Sequence, residues 1–344
     1  MEAGGQQLGS EMGASRLNAF TGIGHRSFEE VTVMRHAALI VNPNAGGAAR
    51  FLGSLDKLLR VFAERSFTIE IFETTPAADS ARDLAKAAAS RSEIVIACGG
   101  DGTVHGVLQG VAKSSTCLGV LPFGTANALA RNLRLPLDPE GALRKLLSFQ
   151  PQEIPLGIAE TAVGARWFTV MAGAGPDGQL VHEMSIAAKT RAGRRAYYTE
   201  AARLFLSRRF EAFRVEFKRT GSQQWENREA VAIMASRIPD LGGLFRGLTA
   251  TSRLHHPHLL VQLLTAPAHI SLPAWIALGR FGKHISNPWL ETLEVEEVRC
   301  YPLDEAHRTF AQVDGEAMGC IPLSLRIELN ALRLLMPTDG TAEC

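Results

Sequence analysis

The stretch from Ser92 to Gly110 constrains this chain more than any other. Ile94, Val95, Ile96 and Ala97 form a short apolar run of the kind that becomes a buried strand. Gly99, Gly100 and Gly102 follow, and then Thr103, Val104, Val107 and Leu108 recur at helical spacing. A strand, a glycine turn and a helix point bare backbone N–H groups and a helix N-terminus at an anion. Asp101 lies inside that turn. A carboxylate beside a phosphate is repulsive unless a cation or a transferable proton stands between them. The motif therefore indicates Mg²⁺–nucleotide chemistry or a general base. A tight turn closed by an Asx-type hydrogen bond from Asp101 is the competing reading.

The same unit recurs along the first half. Residues 37–41 are a second apolar strand, ended by Asn42, Pro43, Asn44, Ala45 and Gly46. Phe51, Leu55, Leu58, Leu59 and Phe62 then follow a helical period. Phe67, Ile69 and Ile71 alternate as in a strand that leads to Thr74. Cys117–Leu121 is a fourth strand, followed by Gly124, Thr125, Ala126 and Asn127 and by a helix with Leu129 and Leu133 four apart. Strands alternating with helices from 36 to 150 predict a Rossmann-like parallel sheet with its Gly and Asn turns on the ligand-binding edge.

After residue 150 the period changes. Residues 154–172, 213–217, 229–235, 259–264, 294–300, 309–313 and 323–329 read as strands of an antiparallel, β-sandwich-like domain, interrupted by a helical insert at 181–208. The expected division is a polar leader at 1–35, a nucleotide-binding α/β domain at 36–150, a β-rich domain at 151–336 and a tail at 337–344.

With 46% hydrophobic and 21% charged residues and a net charge of +1, the 344-residue chain reads as an ordinary globular protein with no footprint for nucleic acid. Five cysteines without CxxC spacing point to reduced thiols in the cytoplasm and to no zinc site. No secretory signal is visible in the leader. Leu254–Gly279 is free of Asp, Glu, Lys and Arg, but its prolines and histidines make it a strand, a loop and an apolar helix rather than a membrane span. Lys189–Arg219 carries ten Lys or Arg against three acids. It is either a solvated helix face or a contact with an anionic membrane surface.

Asn42-Pro43 with Gly46, Gly99-Gly100-Asp101-Gly102-Thr103, Gly124-Thr125-Ala126-Asn127 and Asp314-Gly315-Glu316 occur in the order seen in the diacylglycerol kinase catalytic family. That family includes bacterial lipid kinases and the sphingosine and ceramide kinases. The likeness spans 36–336 and is closest in the first half. It implies ATP and Mg²⁺ in a cleft between the domains, a membrane-lipid acceptor of diacylglycerol or sphingoid type, and peripheral attachment to the membrane; a homodimer is also compatible. Asn42, Thr74 and Asn127 resemble family positions at the nucleotide, and Thr103 and Thr125 can donate hydroxyl hydrogen bonds there. The amides of Gly46, Gly100, Gly102 and Gly124 would hold phosphates. Glu316 resembles the family's proton acceptor, with Asp101 as the alternative. Asp177, after the glycine-rich Gly173–Gly175, resembles an Asp near the lipid headgroup, with a plain hairpin turn as the competing reading. An NAD kinase-like enzyme and a non-catalytic lipid binder are the competing functions.

The chain also departs from the family. His105 and Gly106 stand where Asn-Glu is frequent, and His105 is read as a solvent-facing helix residue, with a polar contact as the competing reading. Ala128 replaces an Asp. A segment that holds an auxiliary Mg²⁺ in bacterial members corresponds here to Leu254–Val261, which has no carboxylate. No bound auxiliary metal is expected there.

Overall fold

Aliphatic runs become the strands that carry the site. In a computed structural model that describes residues 35–189, 210–241, 251–265 and 289–338, the first half is β1 (Arg35–Val41), α1 (Ala48–Glu64), β2 (Phe67–Glu73), α2 (Ser80–Ala89), β3 (Ile94–Gly99), α3 (Asp101–Val111), β4 (Cys117–Pro122), α4 (Ala128–Asn132) and α5 (Pro139–Leu146). β3 and β4 are buried along their whole length. The strands pair in parallel in the order β4-β3-β1-β2. Val41 is level with Glu73 and Cys98, and Cys98 is level with Leu121, so all four strands end along one edge. The chain reverses its winding between β1 and β3, which is where open α/β sheets bind ligands.

The single helix expected after β4 is two. Arg134 has φ 54, and Pro136 cannot continue a helix. α5 starts afresh with Pro139 in its first turn and the Asp138 carboxylate accepting from Gly141 N.

The second half is β5 (Gln150–Thr161), β6 (Gly164–Phe168), β7 (Met171–Ala174), α6 (Pro176–Lys189), β8 (Phe213–Arg219), β9 (Trp225–Ala230), β10 (Ala232–Ser236), β11 (Leu259–Leu264), β12 (Leu290–Pro302), β13 (Phe310–Val313), β14 (Glu316–Cys320) and β15 (Leu323–Met336). These strands pair antiparallel with one another, as an antiparallel β part following an α/β part requires. The expected strand at 154–172 is three strands, that at 229–235 is two, and β14 had no sequence signal because it is half-exposed and short.

β15 joins the two parts. Leu323 and Leu325 lie in one apolar core, whereas Ala331, Leu332, Leu334, Leu335 and Met336 lie in the other, which lines the parallel strands. A register shift between Glu328 and Leu332 separates the two segments, with Asn330 at φ 49. Beyond it Arg333 and Leu334 pair in parallel with β4, so among the described residues one sheet of fifteen strands runs through both cores.

Asp177 is in the first turn of a helix, not in a hairpin turn. Arg214, Lys218 and Arg219 of the basic segment lie on β8, which extends the strand expected at 213–217 by two residues, and Arg219 is paired with Glu226 and Glu291. The leader up to residue 34, residues 190–209 of the expected helical insert and basic run, residues 266–279, where the apolar helix is expected, and tail residues 339–344 lie outside the described residues. Among the described residues no helix is long and apolar enough to cross a membrane.

Candidate active site

At the carboxyl edge of the parallel strands three loops lock together. Asn42 N–H donates to Cys98 O (3.1 Å) and Phe123 N–H to Gly99 O (2.9 Å), so the loops after β1 and β4 are tied to β3. The Asn42 side chain donates to Thr103 Oγ1 (3.3 Å) and accepts from Asn44 N–H (2.9 Å), which rounds off the Asn42-Pro43-Asn44 turn. Gly47 N–H donates to Phe123 O (2.9 Å) and holds the start of α1 in place. A Cβ on Gly100 would lie 3.2 Å from Gly124 Cα, and one on Gly124 would strike Gly100. Two backbones approach this closely only where both residues lack side chains.

Asp101 opens α3. Both of its oxygens are occupied: Oδ2 accepts from Asn127 N–H (2.9 Å) and Oδ1 from Ala128 N–H (2.6 Å). The carboxylate thus caps α4 from another element. Asn127, at φ 48 and buried, accepts from Gly124 N–H (2.9 Å) and donates to Gly124 O (2.8 Å). The Gly124 amide and the Asn127 side chain, both expected to face a nucleotide, are therefore committed to the turn itself. Thr125 and Gly46 are exposed on the open edge, as is Gly102 in the first turn of α3, where helix amides lack intrahelical partners. No atom lies within 4 Å of where a Cβ on Gly46 would be. Thr74, after β2, is half-buried on the same edge, its N–H on Val41 O (2.8 Å).

The β13–β14 turn reaches this edge from the antiparallel part. Glu316 is exposed, and its Oε1 is 2.8 Å from the point a Cβ on Gly102 would occupy. Behind it, Asp314 is buried at φ 48 and accepts from Thr169 N (3.1 Å), Val170 N (3.0 Å) and Met171 N (3.0 Å). Gly315 N–H donates to Gln312 Oε1 (3.0 Å), and Gln312 Nε2 donates to Asp177 Oδ2 (3.0 Å). Burial pushes the Asp177 carboxyl up to about 6, against the hydrogen bond from Gln312. Asp177 therefore reaches the site through Gln312 rather than through an open face.

His105 corrects the sequence reading. It is buried on α3, with Nδ1 3.4 Å from Asp314 Oδ2. Gly106 also has a local reason. A Cβ there would lie 2.7 Å from Ala81 Cβ, so α2 packs where a larger side chain would stand.

The Leu254–Val261 segment is organised by a side chain. Arg237, 1% exposed, donates to the carbonyls of Pro155 (2.9 Å), Leu254, His256 (2.8 Å) and His258 (3.0 Å). Burial lowers its guanidinium to about 10. Among the described residues no three His, Cys, Asp or Glu side chains are grouped to hold a metal.

Residues 36–159 match the diacylglycerol kinase catalytic domain. The chain carries a diacylglycerol kinase catalytic domain. The enzyme class of that domain is a lipid kinase. Similarity continues well past it. A diacylglycerol kinase of Bacillus subtilis is 25% identical over 309 residues, covering 89% of this chain and 98% of its own length. One from Staphylococcus haemolyticus is 23% identical over 308 residues, 89% and 90% of the two chains. A crystal structure of a diacylglycerol kinase from Bacillus anthracis strain Sterne superposes with a TM-score of 0.63 at 19% identity, over 89% of this chain and 98% of that one. At that identity the superposition speaks for the fold.

The groups that sequence reasoning missed are His105, Gln312, Arg237 and the amides of Thr169–Met171. A polar residue inside an apolar strand was the available signal for Gln312. None existed for the backbone amides.

Proposed function

We propose that this chain transfers the γ-phosphoryl group of ATP to a hydroxyl of a membrane lipid, of diacylglycerol or sphingoid type, with Mg²⁺ accompanying the nucleotide. The observation that carries the reading is the Glu316 carboxylate beside Gly102, at the start of α3 and on the edge where the glycine loops converge. Helix-start amides and glycine turns suit phosphates. An exposed carboxylate next to them suits a proton acceptor for an attacking hydroxyl.

In this reading Glu316 takes the hydroxyl proton as the lipid oxygen bonds to the γ-phosphorus. The bond from that phosphorus to the bridging oxygen breaks, and ADP leaves with its electron pair. Asp101 and Glu316 are the carboxylates at hand for Mg²⁺, which would neutralise phosphate charge and take its remaining ligands from phosphate and water, as suits an ion that dehydrates reluctantly. With both oxygens capping α4, Asp101 suits positioning better than proton transfer.

The nucleotide side is assigned to 36–150 and the lipid side to 151–336. Peripheral contact with anionic membrane from the cytoplasm is supported by the basic run from Lys189 to Arg219. Charges near such a surface attract by about 1 kcal/mol each.

The test is incubation with γ-labelled ATP, Mg²⁺, NAD and a total lipid extract, for the wild type and Glu316→Gln. Label in a hydroxyl lipid, lost in the variant, is expected. Label in the soluble dinucleotide alone, or in nothing, would overturn the reading.

A further inference from the structure

The helix that opens at the phosphate edge and the turn that carries Glu316 meet in one buried contact, His105 Nδ1 to Asp314 Oδ2 at 3.4 Å, with both side chains 4% exposed. Asp314 is two residues before Glu316, and His105 is one helical turn after Gly102. The contact therefore spans the same junction as the Glu316–Gly102 approach, but from inside.

The state of the imidazole is set by a third residue. Gln109, one turn further along α3, is clamped by the backbone of β6: Trp167 N–H donates to Gln109 Oε1 (3.0 Å), and Gln109 Nε2 donates to Trp167 O (2.9 Å). That pair of bonds fixes which end of the amide is which. The amide nitrogen, and not the oxygen, then faces His105 Nε2 at 3.4 Å. With one hydrogen on Trp167 O, the other is shared between His105 O (3.3 Å) and His105 Nε2, and an amide nitrogen offers Nε2 no acceptor, which favours the ring proton on Nδ1, pointing at Asp314. Asp314 in turn gathers three successive backbone amides, of Thr169, Val170 and Met171. α3 is also backed by α2, because Gly106 and Gly110 leave no room between the two helices. A rigid helix is thus coupled to the turn through a donor of fixed direction.

We infer that His105 is a positioning residue for phosphoryl transfer: its Nδ1–H, oriented by Gln109, holds Asp314 and so sets where Glu316 stands against the start of α3. It does not touch the reacting atoms. The inference rests on the proposed role of Glu316 as proton acceptor.

The test combines kinetics with spectroscopy on the full chain. His105→Leu removes the donor and should lower kcat at least tenfold while the KM for ATP changes by less than about twofold, because the loops after β1 and β4 are untouched. His105→Asn restores an N–H donor of similar reach to Nδ1 and should recover part of the loss. Nitrogen-15 NMR of the wild type should show the Nδ1–H tautomer for His105, and Gln109→Met should release that preference. An unchanged kcat in His105→Leu beside an impaired Glu316→Gln overturns the positioning role and leaves the proton acceptor in place. An unimpaired Glu316→Gln overturns the proton acceptor and this inference with it. If His105→Leu does not fold, the wild-type spectrum decides, and an Nε2–H tautomer overturns the proposal.

Discussion

Glu316 and Gly102 share one small volume. The Oε1 atom of the first stands 2.8 Å from the place where any side chain on the second would begin. Gly102 is in the first turn of α3 and Glu316 opens β14, and each is exposed. A carboxylate is therefore held at the N-terminal end of α3, where the helix dipole favours negative charge.

Gly102→Ala tests that relationship directly. The new methyl group meets only the end of a flexible side chain, which can swing away. Stability should change by less than about 1 kcal/mol, as for surface substitutions without a buried partner. Turnover should fall about tenfold or more as the carboxylate is displaced, since misplacement of about 1 Å can cost on the order of 10²-fold. Denaturant melts beside steady-state kinetics check this, and wild-type turnover would count against a role for this geometry.

Asp101→Asn should affect both fold and catalysis. One oxygen is replaced by an NH₂ group facing a backbone N–H of Asn127 or Ala128, which leaves an amide unpaired. The cost is about 1–3 kcal/mol. Turnover should fall at least ~10²-fold, the scale of a single electrostatic group. A folded variant with near-normal turnover would remove Asp101 from the site.

Arg237→Met should be among the most damaging single changes outside the site. It leaves the carbonyls of Pro155, Leu254, His256 and His258 without their donor, and each buried acceptor left unpaired costs about 1–3 kcal/mol. The carbonyls of Leu254, His256 and His258 are oxygens that the 254–258 loop would otherwise offer a hard cation, and the guanidinium already takes them. Metal analysis of nucleotide-free wild-type protein dialysed against Mg²⁺ should find less than one equivalent retained. One full equivalent would show that other oxygens form such a site.

Asp177 carries a pH signature. Its carboxyl is raised from 3.8 to about 6 by burial. A raised folded value means the folded state binds the proton more tightly than the unfolded chain does. The contribution is fully present below about 3.8 and is lost as pH rises through about 6. A shift of this size corresponds to ~3 kcal/mol. Asp177→Asn, which stays neutral, should lose this component, so that its stability falls less than the wild type's between pH 4 and pH 7. Parallel pH dependence in the two proteins would exclude Asp177 as its source.

Part of the candidate site was legible because its signals are local. Apolar runs ending in Gly99, Asn42 and Gly124 specify strand, turn and helix within about ten residues, and alternation of such units implies a parallel sheet with its loops on one edge. The order of the motifs, with Glu316 last, added the expectation of a carboxylate arriving from the second half. Within single turns the reading was weaker. Asn127 and Gly124 satisfy each other, and no pattern in the sequence distinguishes a side chain turned inward to its own loop from one turned outward to a ligand.

By itself, then, the sequence determined the strands, the glycine turns and the chemistry available at the sheet edge, because periodicity and backbone freedom act between near neighbours. Tertiary structure decided what depends on distant groups. His105 and Asp314 are 209 positions apart, and only the return of β13 beside β7 buries them together. Arg237 is surrounded by carbonyls whose directions are set by backbone path, not by side-chain type. β15 passes from one core to the other across a register shift near Asn330, pairing with β5 on both sides of it. A buried polar group must find its partner wherever the fold supplies one, and the chain's topology, rather than its local pattern, determines where that is.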